Sequence, residues 1–110
     1  MNKKENQSTE HLTLEDIVHI TNRVGMEYMH AKKEADRLEL MKPTIRARMM
    51  IKHDDGKMSE MKIKRIAETD EDYVDFLEQL IEKKAESEQL KMRYDSYKNL
   101  FDARCSMLSY

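Results

Sequence analysis

Apolar residues recur every seven positions along the first half of the chain: Ile17, Val24, Ala31, Leu38 and Ile45. A companion row runs Ile20, Tyr28, Ala35 and Met49. Seven residues carry an α-helix through nearly two full turns, so both rows lie on one face. The pattern predicts one long helix with a coiled-coil-like seam over about residues 13–53. Thr13 can cap its start, with Asp16 three positions on as the short-armed partner of a capping box. Ala31 and Ala35 allow another helix to come close. Gly25 lowers helix stability by roughly 1 kcal/mol relative to Ala. Pro43 lacks an amide hydrogen and disfavours helix at Lys42, which predicts a kink or break at Leu40–Pro43. Alternatively, Pro43 opens a new helix at its first position.

Asp54-Asp55-Gly56 is the strongest turn signal in the chain and marks a turn over residues 54–58. A short helix follows over about 59–67, with Ser59 as its cap and Met61, Ile63 and Ile66 as its apolar positions. Thr69, paired with Asp72, is expected to open a second long helix over about 69–108. Its seam reads Tyr73, Leu80, Tyr94, Phe101 and Leu108, with Ser87 as a polar member. Phe76, Leu77, Ile81, Leu90 and Tyr97 widen it. The expected architecture is all-α: an elongated helical hairpin of two long helices, with a short helix at the elbow and coiled-coil-like packing. Residues 13–110 form this single helical domain, and residues 1–12 form a polar, disordered tail.

Composition sharpens this picture. The 110 residues include one Pro, two Gly and no Trp, and 38% are charged. With a mean hydropathy of −0.89, the chain can fill a narrow seam but not a broad globular core. Self-association is the usual way such a protein completes its apolar packing. Cys105 stands alone, which excludes an intramolecular disulfide and suits a reducing, cytoplasmic setting. No apolar run is long enough for a membrane span, and Met1 to Glu10 lacks the apolar core of a signal peptide.

The formal net charge of −2 conceals a strong asymmetry. From Lys42 to Arg65 there are eight basic residues (Lys42, Arg46, Arg48, Lys52, Lys57, Lys62, Lys64 and Arg65) against three acids, a local balance of +5. From Glu68 to Glu88 nine acids face only Lys83 and Lys84, a balance of −7. The bland interpretation is a solvated surface with some pairing between helices. The functional one is a polyanion site at a basic elbow. Arg46 and Arg48 stand about 200° apart on a regular helix, so they cannot clamp one phosphate together. The segment from Ala31 to Asp72 holds no Phe, Tyr or Trp, so nucleic-acid binding there would rest on phosphates, not base stacking.

Signs of catalysis are missing. There is no glycine-rich phosphate loop. His11, His19, His30 and His53 form no pair at helical ligand spacing, and His30 with Glu34 is a poor basis for a metal site. Cys105 suits a seam better than a nucleophile's role. The acidic run suits a helix face better than a catalytic carboxylate pair. Neither an enzyme nor a cofactor is expected. At the C-terminal end, Tyr94, Tyr97, Leu100, Phe101, Met107 and Leu108 gather apolar bulk. They can pack on the first helix, serve self-association, or do both.

The elbow also carries a motif. Ile45-Arg46-Ala47-Arg48 precedes Asp54-Asp55-Gly56, then Ser59-Glu60-Met61-Lys62, then the long helix after Thr69. This order resembles the UvsY family of recombination mediators of T-even-type phages. That family bears a basic Lys/Arg-Ala-Arg motif late in a long helix, before a Gly-containing turn and a short helix. The resemblance implies a non-enzymatic protein that binds single-stranded DNA. It would help load a RecA-type recombinase onto strands coated by single-strand-binding protein, in the host cytoplasm. It also implies a closed homo-oligomer assembled through the C-terminal helix, with Arg46 and Arg48 as the DNA-contacting pair. The alternative is a small helical protein-interaction module, an adaptor or inhibitor acting through the acidic face of Glu68 to Glu88. A purely structural coiled-coil subunit is the third class.

Overall fold

A computed structural model describes residues 11–108. Most of the expected polar tail, residues 1–10, lies outside the described residues, as do residues 109 and 110. The described residues are all-α, in three helices: α1 (Leu14–His53), α2 (Glu60–Thr69) and α3 (Glu71–Leu108). The chain divides into two compact units, Met1–His30 with Glu88–Tyr110, and Ala31–Ser87. In the first unit Arg104 reaches Leu12 and Tyr94 stacks on Tyr28, so the two helices run antiparallel. In the second, Lys83 meets Glu34 while Asp70 meets Lys52, again antiparallel.

The first helix starts as its capping signal directs. The Asp16 amide donates to Thr13 Oγ1, and the Thr13 amide donates back to Asp16 Oδ2, both at 3.0 Å. Two of the four amides that a helix N-terminus leaves unpaired are thereby satisfied. These bonds hold the Asp16 carboxyl below its ordinary pKa, the Thr13 amide acting most strongly.

Of the kink or break expected at Leu40–Pro43, the break does not occur: α1 is one helix of 40 residues with Pro43 inside it, close to the expected span of 13–53. Proline removes the hydrogen bond to the carbonyl four residues back, that of Glu39. Glu39, Leu40 and Pro43 are all exposed, so water can satisfy the freed carbonyl. Ser59 caps α2 as expected, accepting from the Lys62 amide at 3.2 Å. The start of α3 differs from expectation. Thr69 closes α2, its hydroxyl donating to the Arg65 and Ile66 carbonyls. Asp70 is the cap of α3, accepting from the Asp72 amide at 2.8 Å. Its own backbone carbonyl accepts from the Val74 amide. An Asp carboxylate is a stronger acceptor for free amides than a hydroxyl already turned back into its own helix.

The seam follows the heptad rows in outline. Ile17 and Val24 are fully buried, each contributing roughly 1.5–3 kcal/mol. Ala31, Ala35, Tyr73, Leu80, Ser87 and Tyr97 are also buried, while Leu38, Ile45, Tyr94 and Phe101 are half-buried. Two expected members fall outside it: Ile81 and Leu108 are 66% and 72% exposed. Ile81 sits 100° around the helix from Leu80. Leu108 lies beyond Arg104, which already reaches Leu12 just before the start of α1, so its turn has no described α1 residue opposite.

Gly25 earns its place at the seam. A Cβ there would stand 2.9 Å from Tyr94 Cε1, closer than real Cβ contacts come. Gly25→Ala should therefore lower stability by about 1 kcal/mol through overpacking. In a Tyr94→Ala background the same change should raise stability by about 1 kcal/mol, because only helix propensity remains. Denaturant titrations of the four proteins test this reversal of sign.

Candidate nucleic-acid interface

All eight basic candidates lie in the Ala31–Ser87 unit, on the last third of α1, the turn and α2. Helical geometry sorts those on α1 into two rows. Lys42 and Arg46, four residues apart, share one side and are half-buried at the edge of the seam. Arg48 and Lys52 share the other and are exposed. Because α1 stays helical through this stretch, Arg46 and Arg48 diverge as the sequence predicts. On α2 the buried Ile63 and Ala67 face inward. Lys62 and Lys64 flank Ile63 on either side, and Arg65 lies beyond, all three exposed. Lys57 is exposed in the turn.

Of the three acids in the elbow segment, Asp54 and Asp55 build the turn, and Glu60 is exposed in the first turn of α2. Asp54 Oδ1 accepts from the Gly56 amide at 2.8 Å. Asp55 Oδ1 accepts from the Lys57 and Met58 amides. These two bonded turns lead the chain through Gly56, whose φ of +77° is the left-handed conformation that glycine adopts freely. Among the described residues, Arg46, Arg48, Lys57, Lys62 and Lys64 enter no ion pair. Arg65 donates to the Met61 sulfur at 3.7 Å.

Lys52 behaves differently. Its Nζ lies 3.0 Å from Asp70 Oδ2 and 3.6 Å from Asp72 Oδ2. His53 Nε2 sits 2.6 Å from the same Asp70 oxygen; a carboxylate only accepts, so the ring donates there. The Asp70 side chain is 8% exposed. This cluster ties the end of α1 to the start of α3. The His53 bond, then Lys52 and the Asp72 amide, hold the Asp70 carboxyl well below the usual carboxylate range. The same contact raises the Lys52 pKa. Farther along, Lys84 meets Glu39 at 2.9 Å and Lys83 meets Glu34 at 3.4 Å. The Lys84 bond lowers the Glu39 pKa, and Glu34 raises that of Lys83. Such exposed, solvent-screened pairs fix register more than they stabilise.

The acidic residues of α3 form an exposed face. Glu71, Asp75, Glu78, Glu82 and Glu86 recur at three- and four-residue steps and point away from the buried Tyr73, Leu80 and Ser87. Among the C-terminal candidates, Tyr97 is buried, and Tyr94, Leu100 and Phe101 are half-buried. Met107 and Leu108 stand 74% and 72% exposed. Lys98 lies 5.9 Å over the Tyr94 ring.

Two contacts escaped the sequence reading. The Asp70 cluster joins residues seventeen and eighteen positions apart, beyond any local pattern. The only hint was that an acid preceded the acidic first turn of a helix. Arg104 donates to the Leu12 carbonyl at 2.7 Å across 92 positions, with no local signal at all.

Among the described residues, no group of three or more His, Cys, Asp or Glu could hold a metal ion. No described helix is long and apolar enough to cross a membrane. Comparison with known proteins finds no matching family, no similar curated protein and no similar solved structure.

Folding favours the charged form of Asp70, so its stabilisation is complete above the ordinary Asp pKa of about 3.9 and is lost as pH falls below it. Asp70→Asn should lower the Tm at neutral pH. It should also lose less stability than wild type between about pH 5 and pH 2. Thermal unfolding followed by circular dichroism across that range reads both effects.

Proposed function

We propose that this protein is a non-enzymatic, single-stranded-DNA-binding recombination mediator that helps load a RecA-type recombinase. The observation that carries this reading is the state of the basic elbow. Arg46, Arg48, Lys57, Lys62 and Lys64 are left without ion pairs among the described residues, while Asp54, Asp55 and Asp70 are turned into the scaffold. A cationic surface assembled in this way attracts a polyanion and releases its counterions. The order of motifs shared with UvsY-type mediators supports single-stranded DNA as that polyanion.

The divergence of Arg46 and Arg48 assigns them different phosphates, or strands held by different copies. Lys42 works with Arg46. Lys52 acts mainly as scaffold, since its ammonium is held by Asp70 and Asp72. Recognition is of the sugar-phosphate chain and weakly sequence-selective. Self-association belongs to the same reading, with Met107 and Leu108 as the exposed members of the C-terminal set. Single-strand-binding protein is the further partner it entails.

A second reading has its own observation, the acidic face of α3. A face built from Glu71, Asp75, Glu78, Glu82 and Glu86 would dock a basic protein partner, making the chain an adaptor or inhibitor.

Arg46→Ala with Arg48→Ala should weaken binding to a labelled single-stranded oligonucleotide by about tenfold or more. Helicity and assembly should be unchanged, because Arg48 is exposed and Arg46 lies only at the edge of the seam. Equal affinity of the double mutant and wild type in fluorescence anisotropy would remove the elbow from the DNA path. Capture of a basic protein, lost on Glu78→Lys with Glu82→Lys, would favour the second reading.

A further inference from the structure

The elbow offers cations for phosphates but no aromatic ring on which a base can stack, since Ala31 to Asp72 contains none. The rings lie in the other compact unit, Met1–His30 with Glu88–Tyr110. There Tyr28 and Tyr94 stack with centroids 6.5 Å apart and planes inclined by 22°. They line an open groove of about 630 Å³ together with Asn22, Gly25, Met26 and Met29. That volume falls within the roughly 300–1,000 Å³ of small-ligand clefts. Both rings are half-buried, while Met26 and Met29 are 76% and 62% exposed. All six residues belong to this one unit.

The chemistry of the groove indicates what it takes. Two phenol rings and two thioethers present polarisable surface to a flat aromatic partner. Gly25 lies against the Tyr94 ring and adds no side chain to cover it. Asn22 is exposed at the same groove and carries both a donor and an acceptor for the edge of a base. The charge beside the ring is positive. Lys91 and Lys98, three residues before Tyr94 and four after it, share its side of α3. Both are exposed, and neither enters an ion pair among the described residues. Lys98 Nζ already lies 5.9 Å over the Tyr94 ring. Asp95, the nearest acid in sequence, stands 100° around the helix from Tyr94. Rings flanked by unpaired cations complement a stacked base and its adjoining phosphates in a single strand.

We infer that this groove takes a nucleobase of single-stranded DNA, stacked on the tyrosine pair beside Met26 and Met29, with Lys91 and Lys98 on the flanking phosphates. When a base lies on the Tyr94 ring, the Lys98 ammonium moves from the ring to a phosphate. Stacking of this kind accepts every base, because each has a π-face, and so agrees with weakly sequence-selective recognition. The inference rests on the single-stranded-DNA reading of the chain, and adds to it a base contact that the elbow cannot make.

The test compares two labelled oligonucleotides with the same number of phosphates, one bearing bases and one made of abasic sites, by fluorescence anisotropy with the full chain. Wild type should bind the base-bearing strand about tenfold more tightly. Only that strand should quench the tyrosine fluorescence, which the lack of Trp leaves readable. Tyr94→Leu, which keeps apolar bulk, should bring the two affinities together while leaving the abasic one unchanged. Met26→Ala with Met29→Ala, at exposed positions, should narrow the gap independently of Tyr94 packing. Arg46→Ala with Arg48→Ala should weaken binding of both strands alike. Equal wild-type affinities, no quenching, or a gap unchanged in Tyr94→Leu would each overturn the inference and leave the elbow reading in place. Failure of both strands to bind at low salt would overturn the two together. A lower assembly mass for Met26→Glu in light scattering would assign the groove to a second copy of the chain and overturn the inference as well.

Discussion

The structure depends on close approach of two long helices along a narrow seam. Among the described residues, only Ile17 and Val24 are wholly buried large side chains, and much of the remaining contact is made by small ones. Ala31, Ala35, Ala67 and Ser87 are buried, and Gly25 lies against the Tyr94 ring. Small residues give little transfer free energy, but they let neighbouring chains come near. The few large residues, Tyr73, Leu80 and Tyr97, then fill what space remains. Such a seam has little tolerance for added volume.

A seam this thin leaves nearly all of the charge on the surface, and the fold then arranges that charge. Three of the acids that border the elbow have structural work. Asp54 and Asp55 bind turn amides, and Asp70 caps α3 while gathering Lys52 and His53. The acids of α3 beyond Asp70 face outward, where Lys83 and Lys84 cross back to α1 through Glu34 and Glu39. What remains at the elbow is a set of cations, Arg46, Arg48, Lys57, Lys62 and Lys64, that enter no ion pair among the described residues. That asymmetry follows from which acids fold the chain, and the functional proposal rests on it.

The helices were legible because their signals are local and periodic. Thr13 with Asp16, and Ser59 with Lys62, cap where the pattern placed them. The heptad rows identified most of the seam. Pro43 misled, because propensity counts the lost hydrogen bond but not the exposure that lets water replace it. Thr69 misled, because a capping pattern cannot show that Asp70 has two cations drawing it into place. Ile81 and Leu108 were assigned to the seam by apolarity alone, and helix phase and the reach of the opposing helix exclude them. The basic residues of the elbow were visible in sequence. Their division into those free of ion pairs and Lys52, held by Asp70, required the fold.

The elbow is the part of the molecule on which the proposed binding of single-stranded DNA rests. Its central claim concerns phosphates, and phosphate contacts leave a quantitative trace in salt. The most direct measurement is the affinity of wild-type protein for a single-stranded oligonucleotide over a range of monovalent salt. Each neutralised phosphate contributes about −0.7 to the slope of log K against log salt. The account predicts a straight line with a slope of about −2 to −4, from three to five contacts. Binding that ignores salt, or no binding at low salt by the folded protein, would contradict it.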